Sequence, residues 1–92
     1  MFGVVRIMNN LFHLKPDDSA TVFEILDESS MRRRFFDLGL IKGTSVQCVG
    51  ESPSKDPKAY LIRGAVIALR QEDAEKILIE NIIRGEDNGV NP

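Results

Sequence analysis

Cysteine and histidine, which most often supply disulfides, metal ligands and nucleophilic sites, are nearly absent from this 92-residue chain, which has one of each. A single cysteine, Cys48, excludes a disulfide within the chain and favours a reducing compartment. Because Cys48 lies in an alternating apolar segment, we expect a buried, unreactive thiol. The lone His13 is far from Cys48 in sequence, so the ligand spacings of zinc sites are missing, and we expect His13 at the surface.

The usual signatures of catalysis and phosphate binding are missing as well. A nucleophile needs a base beside it, and no serine stands in a motif of this kind. The glycines are isolated and typical of turns, so there is no glycine-rich phosphate loop. No two carboxylates stand out as an acid–base pair, and the acidic pairs lack the spacing of a calcium loop. The sequence therefore predicts no catalytic, cofactor-binding or metal-binding residues and no enzymatic activity.

Long apolar runs and a strong net charge are also missing. The apolar start at residues 1–8 is far shorter than the ~20 residues that span a bilayer, and it lacks the basic region of a signal peptide. We expect a cytoplasmic protein that does not insert into the membrane and is peripheral to the inner membrane only through a partner. The net charge of -2 and the pI near 5.3 argue against nucleic acid as the main partner.

Short β-branched and apolar segments make up most of the chain, which at 42% hydrophobic residues suits one domain. Turn residues separate them, at 15–19, at Arg63-Gly64 and elsewhere, and Asn9-Asn10 predicts a break. Imperfect alternation at Phe23-Glu24 predicts a bulge. A short helical turn at 71–76 precedes the last strand. The pattern favours a small barrel of antiparallel strands rather than a parallel sheet, with strands expected at 20–26, 44–49, 59–62, 65–69 and 77–83.

The segment 29–40, Ser-Ser-Met-Arg-Arg-Arg-Phe-Phe-Asp-Leu-Gly-Leu, predicts the one substantial helix, between the first two of these strands. Either serine at its start can cap the helix. Met31, Phe35 and Leu38 are spaced to share one apolar face. Gly39 suits the left-handed position after the last turn, and Leu40 can fold back onto that turn in a Schellman ending.

The three consecutive arginines at 32–34 allow two interpretations, and both stay open at this point. One is a solvated helix face on which Asp37 pairs with Arg33 or Arg34, which would contribute only ~0.3–0.5 kcal/mol. The other is a recognition face for an acidic partner surface or for phosphate. If Leu61 and Val66 point outward on the predicted hairpin, they would add apolar contact area and favour a protein partner.

Several of these segments, taken together, resemble the FeoA family, small cytosolic accessory proteins of bacterial ferrous iron uptake. The resemblance is carried by Met-Arg-Arg-Arg-Phe-Phe-Asp-Leu-Gly-Leu-Ile-Lys-Gly-Thr-Ser-Val at 31–46, by the Asp-Pro loop at 53–57 and by the hairpin and its sequel at 61–77, and it runs from about 11 to 81. It implies a mainly β, SH3-like small barrel of about five antiparallel strands, with one α-helix between strands 1 and 2 and a short helical turn before the last strand.

The resemblance also implies a function. It indicates a non-enzymatic protein that binds the cytoplasmic GTPase domain of the membrane transporter FeoB, and it leaves a homodimer and weak transition-metal binding open. It implies no cofactor. The residues expected to contact the partner are those of the helix and the turn after it: Arg32, Arg33, Phe35, Phe36, Leu38, Gly39 and Leu40.

An alternative implied by the same resemblance is a stand-alone, transition-metal-responsive domain related to the C-terminal domain of iron-dependent repressors. The absence of an attached DNA-binding domain disfavours a repressor. We expect residues 1–10 to form an N-terminal extension, 11–83 the FeoA-like domain and 84–92 a flexible tail.

Overall fold

Antiparallel strands make up most of this protein in its computed structural model, which describes residues 9–26 and 30–85, with the main chain only at 30 and 31. The strands form one sheet in the order β1-β6-β2-β3-β4-β5. An eight-residue helix, α1, connects β2 to β3, and a single helical turn, α2, precedes β6. The elements are β1 Asn9–Asn10, β2 Ser19–Ile25, α1 Ser30–Asp37, β3 Ser45–Glu51, β4 Lys58–Ile62, β5 Ala65–Leu69, α2 Gln71–Ala74 and β6 Ile77–Ile83, with a 3-10 turn at Leu11–His13 after β1.

This arrangement confirms the predicted mainly β fold, because β2 to β6 correspond to the five expected strands and both helices lie where they were expected. The structure adds a sixth strand, β1, at the position where Asn9-Asn10 predicted a break. Asn9 pairs with Ile79 and Asn10 with Leu78 of β6. Asparagine is unfavourable in strands, so pairing with β6 rather than local preference produces this strand. The expected bulge is confirmed by a register shift between Val22 and Glu24.

The sheet curls so that its two ends approach each other. The 3-10 turn that follows edge strand β1 is bonded to β4, near the opposite edge: the Tyr60 hydroxyl donates to the Leu11 carbonyl at 3.3 Å. A flat sheet could not bring these elements together, so the contact shows the barrel-like closure that the sequence predicted. The enclosed core contains side chains from the strands β2 to β6, from both helices, from the 3-10 turn and from two connecting segments. These residues are Leu11, Leu14, Ala20, Val22, Ile25, Phe35, Leu40, Val46, Cys48, Tyr60, Ile62, Leu69, Ala74, Ile77 and Ile79.

The β4–β5 hairpin has a two-residue turn in which both residues are left-handed, Arg63 with φ 51° and Gly64 with φ 84°. Two successive positive φ values define the type I′ turn, whose twist matches that of the flanking strands. The sequence indicated this conformation for Gly64 only. Ile62 and Ala65 face each other at the end of the ladder.

The turn at Lys15–Asp18 is closed by a hydrogen bond from the Asp18 N–H to the Lys15 carbonyl at 2.8 Å. Asp17 has φ 80°, as a type II turn with proline in the second position requires. Asp18 is fully buried, and it also receives bonds from Arg84 and Gly85, the first two residues of the predicted tail. The remainder of that tail, and residues 1–8 of the predicted extension, lie outside the described residues.

Candidate partner-binding surface

The C-terminal end of α1 is built as the sequence predicted. Gly39 has φ 98°, its N–H donates to the Phe36 carbonyl at 3.0 Å, and the N–H of Leu40 donates to the Phe35 carbonyl at 2.9 Å. These two crossed bonds define the Schellman motif. Leu40 and Phe35 are both buried, as the apolar contact of that motif requires. Ser29, a predicted cap, and the side chains of Ser30 and Met31 lie outside the described part.

The predicted contact residues divide into two layers. Phe35 and Leu40 belong to the core and Gly39 is buried, so none of these three offers a side chain to a partner. The second layer is accessible and consists of Arg32, Arg33, Phe36 and the partly exposed Leu38. A helix turns 100° per residue, and therefore adjacent Phe35 and Phe36 cannot both enter the core. The buried layer fixes the helix, and the exposed layer is the surface available for recognition.

Phe36 is 62% exposed and borders two grooves. The first, of about 360 Å³, lies between α1 and β2, with Phe23 and Ile25 on one side and Arg32 on the other. The second, of about 460 Å³, lies between the end of α1 and the β4–β5 turn. The aromatic ring thus separates two shallow, partly apolar depressions, which is the form that a peptide or helix partner can occupy.

Cationic groups line both grooves beside this ring, together with the carboxylates Glu24 and Asp37, and some of the cations are already engaged within the chain. Arg32 donates from Nη1 to the Ile25 carbonyl at 3.1 Å, which anchors the helix to the end of β2. The Lys42 ammonium lies 5.1 Å from the centroid of the Phe23 ring, a cation–π distance. Arg63 lines the second groove. Sequence reasoning assigned Lys42 and Arg63 only to turns, and their presence here depends on how the turns pack against α1.

Cys48 and His13, the side chains best suited to reactivity or metal binding, do not line the grooves beside Phe36. Cys48 is a free, buried thiol, as predicted, and burial raises its pKa above the ordinary 9.0. His13 is exposed, also as predicted, with Nδ1 3.1 Å from Oδ1 of Asn10. Within residues 9–26 and 30–85, no three side chains of the metal-binding types come together. No helix in that part of the chain is long and apolar enough to cross a membrane.

A family model described as the FeoA domain matches residues 9–81, most of the chain. The chain belongs to the FeoA family. A relative, the Fe(2+) transport protein A/Fe(2+) transporter FeoB fusion protein of Porphyromonas gingivalis, is 32% identical over 72 residues, which make up 78% of this chain and 8% of that protein. The chain therefore spans only a small part of this relative's length. Membership links the chain to ferrous iron transport.

Solved FeoA structures have the same fold. The FeoA-like protein of Clostridium acetobutylicum is 31% identical, with a TM-score of 0.74 over 84% of this chain and 88% of that one. FeoA of Stenotrophomonas maltophilia, described as an SH3 domain protein and solved in complex with zinc, is 26% identical, with a TM-score of 0.74 over 82% of this chain and 95% of that one. The fold of this FeoA-family chain is accordingly SH3-like.

A manganese-dependent transcriptional repressor has the same fold as well. It is 19% identical to the chain, with a TM-score of 0.72 over 84% of this chain and 43% of that one. At this identity the likeness concerns the fold only, and a shared fold does not carry a shared function.

Proposed function

We propose that this chain is a non-enzymatic accessory protein of ferrous iron uptake that binds the cytoplasmic GTPase domain of a FeoB-like transporter through the exposed layer of α1. The observation that carries the proposal is the 62% exposure of Phe36 between two grooves with arginine beside it. Aromatic and arginine side chains dominate the energetic centres of protein interfaces. The partner thereby holds this cytoplasmic protein at the inner membrane.

The charges on this surface indicate the chemistry of the partner. Arg33 and Arg34 are exposed, although the chain as a whole has a net charge of -2. Concentrating cations on one helix of an acidic protein favours an acidic partner surface and speeds encounter with it. The apolar ring of Phe36 supplies contact area that a phosphate group alone would not use. An acidic, partly apolar protein surface therefore fits better than nucleic acid, which we expect not to bind.

The fusion relative supports the choice of FeoB. In that protein, a FeoA part and a FeoB part occupy one polypeptide. Linking two modules makes their encounter intramolecular and raises their effective concentration, commonly into the millimolar range. Such a linkage is of use when the two parts contact each other. We extend that contact to this chain, whose FeoA domain is matched over residues 9–81.

The experiment is a calorimetric titration of the chain against the FeoB-like transporter of the same organism, both as the detergent-solubilised protein and as its cytoplasmic domain. Phe36→Ala is expected to lower the affinity by about tenfold or more, because an anchoring aromatic is lost. Ile83→Ala is the matched control, since Ile83 is 65% exposed on β6, away from the grooves. Equal affinities for the two variants would refute this surface.

A charge reversal tests the cationic part of the surface separately. Arg33→Glu is expected to slow association and weaken binding most strongly at low salt, because charges at an interface act largely on the encounter rate. Lys55→Glu, an exposed cation in the β3–β4 loop, is the control for the change in net charge. If both reversals have the same effect, the attraction is a property of the whole chain, and α1 is not its source.

A second candidate function is metal-responsive regulation, favoured by the zinc complex of the Stenotrophomonas maltophilia relative. It predicts that Fe(II), Mn(II) or Zn(II) at moderate excess shifts a defined set of amide resonances, near His13 or the acidic pairs. Saturable shifts, abolished by His13→Ala, would favour this function. Shifts that increase linearly with metal concentration, without saturation, would indicate only the weak surface binding that any acidic protein shows, and would argue against this function.

A further inference from the structure

β5 lies at one edge of the sheet, and in the part of the chain that the structure describes it is paired only with β4. Its residues, Ala65–Leu69, include no charge and no proline, and its register with β4 runs without a shift. Native edges are usually shortened, charged or bulged to prevent strand addition. The opposite edge, β1, follows this practice within the described residues, where it is two residues long. β5 carries none of these protections.

The two-residue turn determines which main-chain groups of β5 are available. In such a hairpin, the residues flanking the turn, Ile62 and Ala65, exchange both of their hydrogen bonds. Every second residue after Ala65 then also bonds to β4. The N–H and C=O groups of Val66 and Ala68 consequently point away from β4, toward the free edge. Val66 is 65% exposed and Ala68 is exposed, and among the described residues only β4 pairs with β5.

We propose that β5 pairs with β5 of a second copy of this chain, in antiparallel orientation about Ile67, to form a two-fold dimer with a continuous sheet. Pairing about Ile67 places Val66 of each copy opposite Ala68 of the other, so the available donors and acceptors satisfy one another. The side chains that then meet on the outer face are small and apolar. Two-fold symmetry closes the assembly at two copies.

Charge complementarity selects a second copy in this orientation. The turn end of β5 carries Arg63, whereas the other end carries the cations Arg70 and Lys76 and the carboxylates Glu72, Asp73 and Glu75, which leave it net acidic. Antiparallel pairing about Ile67 brings Arg63 of each copy opposite Gln71 of the other, between Arg70 and Glu72, at that net acidic end. Parallel pairing would place like charges side by side. The contact is small, so the dimer is expected to be weak and concentration-dependent.

This inference extends beyond the proposed function. Arg63 and Ala65 also line the second groove, whereas Val66 and Ala68 line neither groove beside Phe36, so substitution at Ala68 tests the dimer without altering the proposed partner surface. The test is sedimentation velocity on the full chain, from about 10 µM to about 1 mM, the range in which small interfaces associate. We expect a reversible monomer–dimer equilibrium. Sedimentation as a monomer throughout would overturn the proposal.

Ala68→Pro and Ala68→Val form the matched pair of variants. Proline removes the N–H that points to the free edge while leaving the β4 ladder intact, and prolines are tolerated at such positions. Valine adds similar bulk and keeps the N–H. We expect Ala68→Pro to weaken dimerisation at least about tenfold relative to Ala68→Val, since each dimer would lose two hydrogen bonds, one per copy. Equal dimerisation of the two variants would overturn edge pairing.

A charge swap provides a second measurement that does not depend on folding of the proline variant. Glu72→Arg is expected to weaken the dimer, and the double variant Arg63→Glu/Glu72→Arg to restore it, because the attraction is re-established with reversed signs. Failure of the double variant to recover would overturn the antiparallel register.

Deletion of residues 1–8 tests whether the N-terminal segment of the same chain covers β5. Dimerisation that appears only after the deletion would show that this segment, rather than a second copy, pairs with β5 in the full chain. Association of β5 with the transporter alone, lost in Ala68→Pro, would assign it to that partner instead.

Discussion

The aliphatic stem of Arg63 lies against the bare Cα of Gly39, so that the β4–β5 turn rests on the end of α1. A Cβ at position 39 would overlap Cδ of Arg63. Gly39 also has φ 98°, which other residues adopt only with strain. Gly39 therefore serves two purposes. It ends the helix that carries Phe36, and because it has no Cβ, it leaves room for the β4–β5 turn, which forms the far wall of the second groove.

Gly39→Ala and Gly43→Ala separate these two purposes. Gly43 has φ 93° but nothing within 4 Å of an added Cβ, so its substitution measures backbone strain alone, about 1 kcal/mol. We expect Gly39→Ala to lower the free energy of unfolding further, because Arg63 must also move. Urea denaturation gives both values. In an Arg63→Ala background the difference between the two glycine substitutions should vanish; if it persists, the contact with Arg63 is not its cause.

The buried carboxylate of Asp18 ties the end of β6 to the turn at Lys15–Asp18. It accepts from the N–H of Lys15 at 2.9 Å, from Nη1 of Arg84 at 2.7 Å and from the N–H of Gly85 at 3.0 Å. Burial by itself raises the pKa of Asp18, but these bonds outweigh it and hold the pKa below the ordinary 3.8. The folded state therefore favours the ionised form.

The sign of the pH dependence follows from that direction. Stability contributed by the Asp18 carboxylate is fully present well above pH 3.8 and is lost as the pH falls through the lower pKa of the folded state. Asp18→Asn should cost about 2 kcal/mol at pH 7, since it removes a charged acceptor and leaves buried donors poorly paired. Urea midpoints from pH 7 down to about pH 2 should show the gap between wild type and variant narrowing below pH 3.8. A constant gap would contradict this account.

Lys58 is a buried cation that holds the 3-10 turn against β4. Its Nζ donates to the carbonyls of Phe12 at 2.7 Å and Leu14 at 3.0 Å and lies 4.3 Å from the centroid of the Phe12 ring. Lys58→Met keeps the stem but removes the donors, and we expect a loss of about 2–3 kcal/mol. Hydrogen exchange should accelerate at the Leu14 amide, which closes the 3-10 turn. Lys55→Met, at an exposed site, should change neither quantity.

The thiol of Cys48 is fully buried and donates to the Gly50 carbonyl at 3.6 Å. Because burial raises its pKa above 9.0, little thiolate exists in the folded state at neutral pH. A thiol reagent should therefore modify Cys48 no faster than the chain opens, and urea should raise the rate as it raises the unfolded fraction. Stability contributed by the neutral thiol should decline as the pH rises past 9.0. Rapid modification at neutral pH without denaturant would contradict the buried position.

Local signals account for the parts of the fold that could be predicted. The apolar spacing within 29–40 placed α1; of the predicted apolar face, Phe35 is buried and Leu38 is only partly buried, and Gly39-Leu40 indicated how the helix ends. Alternating apolar residues located the strands from β2 to β6. Each of these signals acts over only a few residues. Over that distance, the steric limits on φ and ψ decide whether the chain forms a helix, a strand or a turn with a left-handed glycine.

Contacts between residues that are far apart in the sequence account for what could not be predicted. Asn9 and Asn10 form a strand because they pair with β6, and Lys58 is buried because two main-chain carbonyls of a segment more than 40 positions away accept hydrogen bonds from its ammonium group. The sequence pattern could not show which of the expected partner-binding residues are accessible and which are buried. It also did not indicate that Lys42 and Arg63 line the grooves beside Phe36.

The amino-acid sequence by itself determined the kind of element at most positions, the family, and the presence of an arginine-rich helix in an otherwise β protein. Tertiary structure alone decided that Phe36 faces outward between two grooves, that Asp18 and Lys58 are buried with partners, and that β5 is an edge strand among the described residues. The physical reason is that periodicity and turn preference depend on neighbouring residues, whereas burial and pairing depend on closure of the sheet, which brings together groups that are distant along the chain.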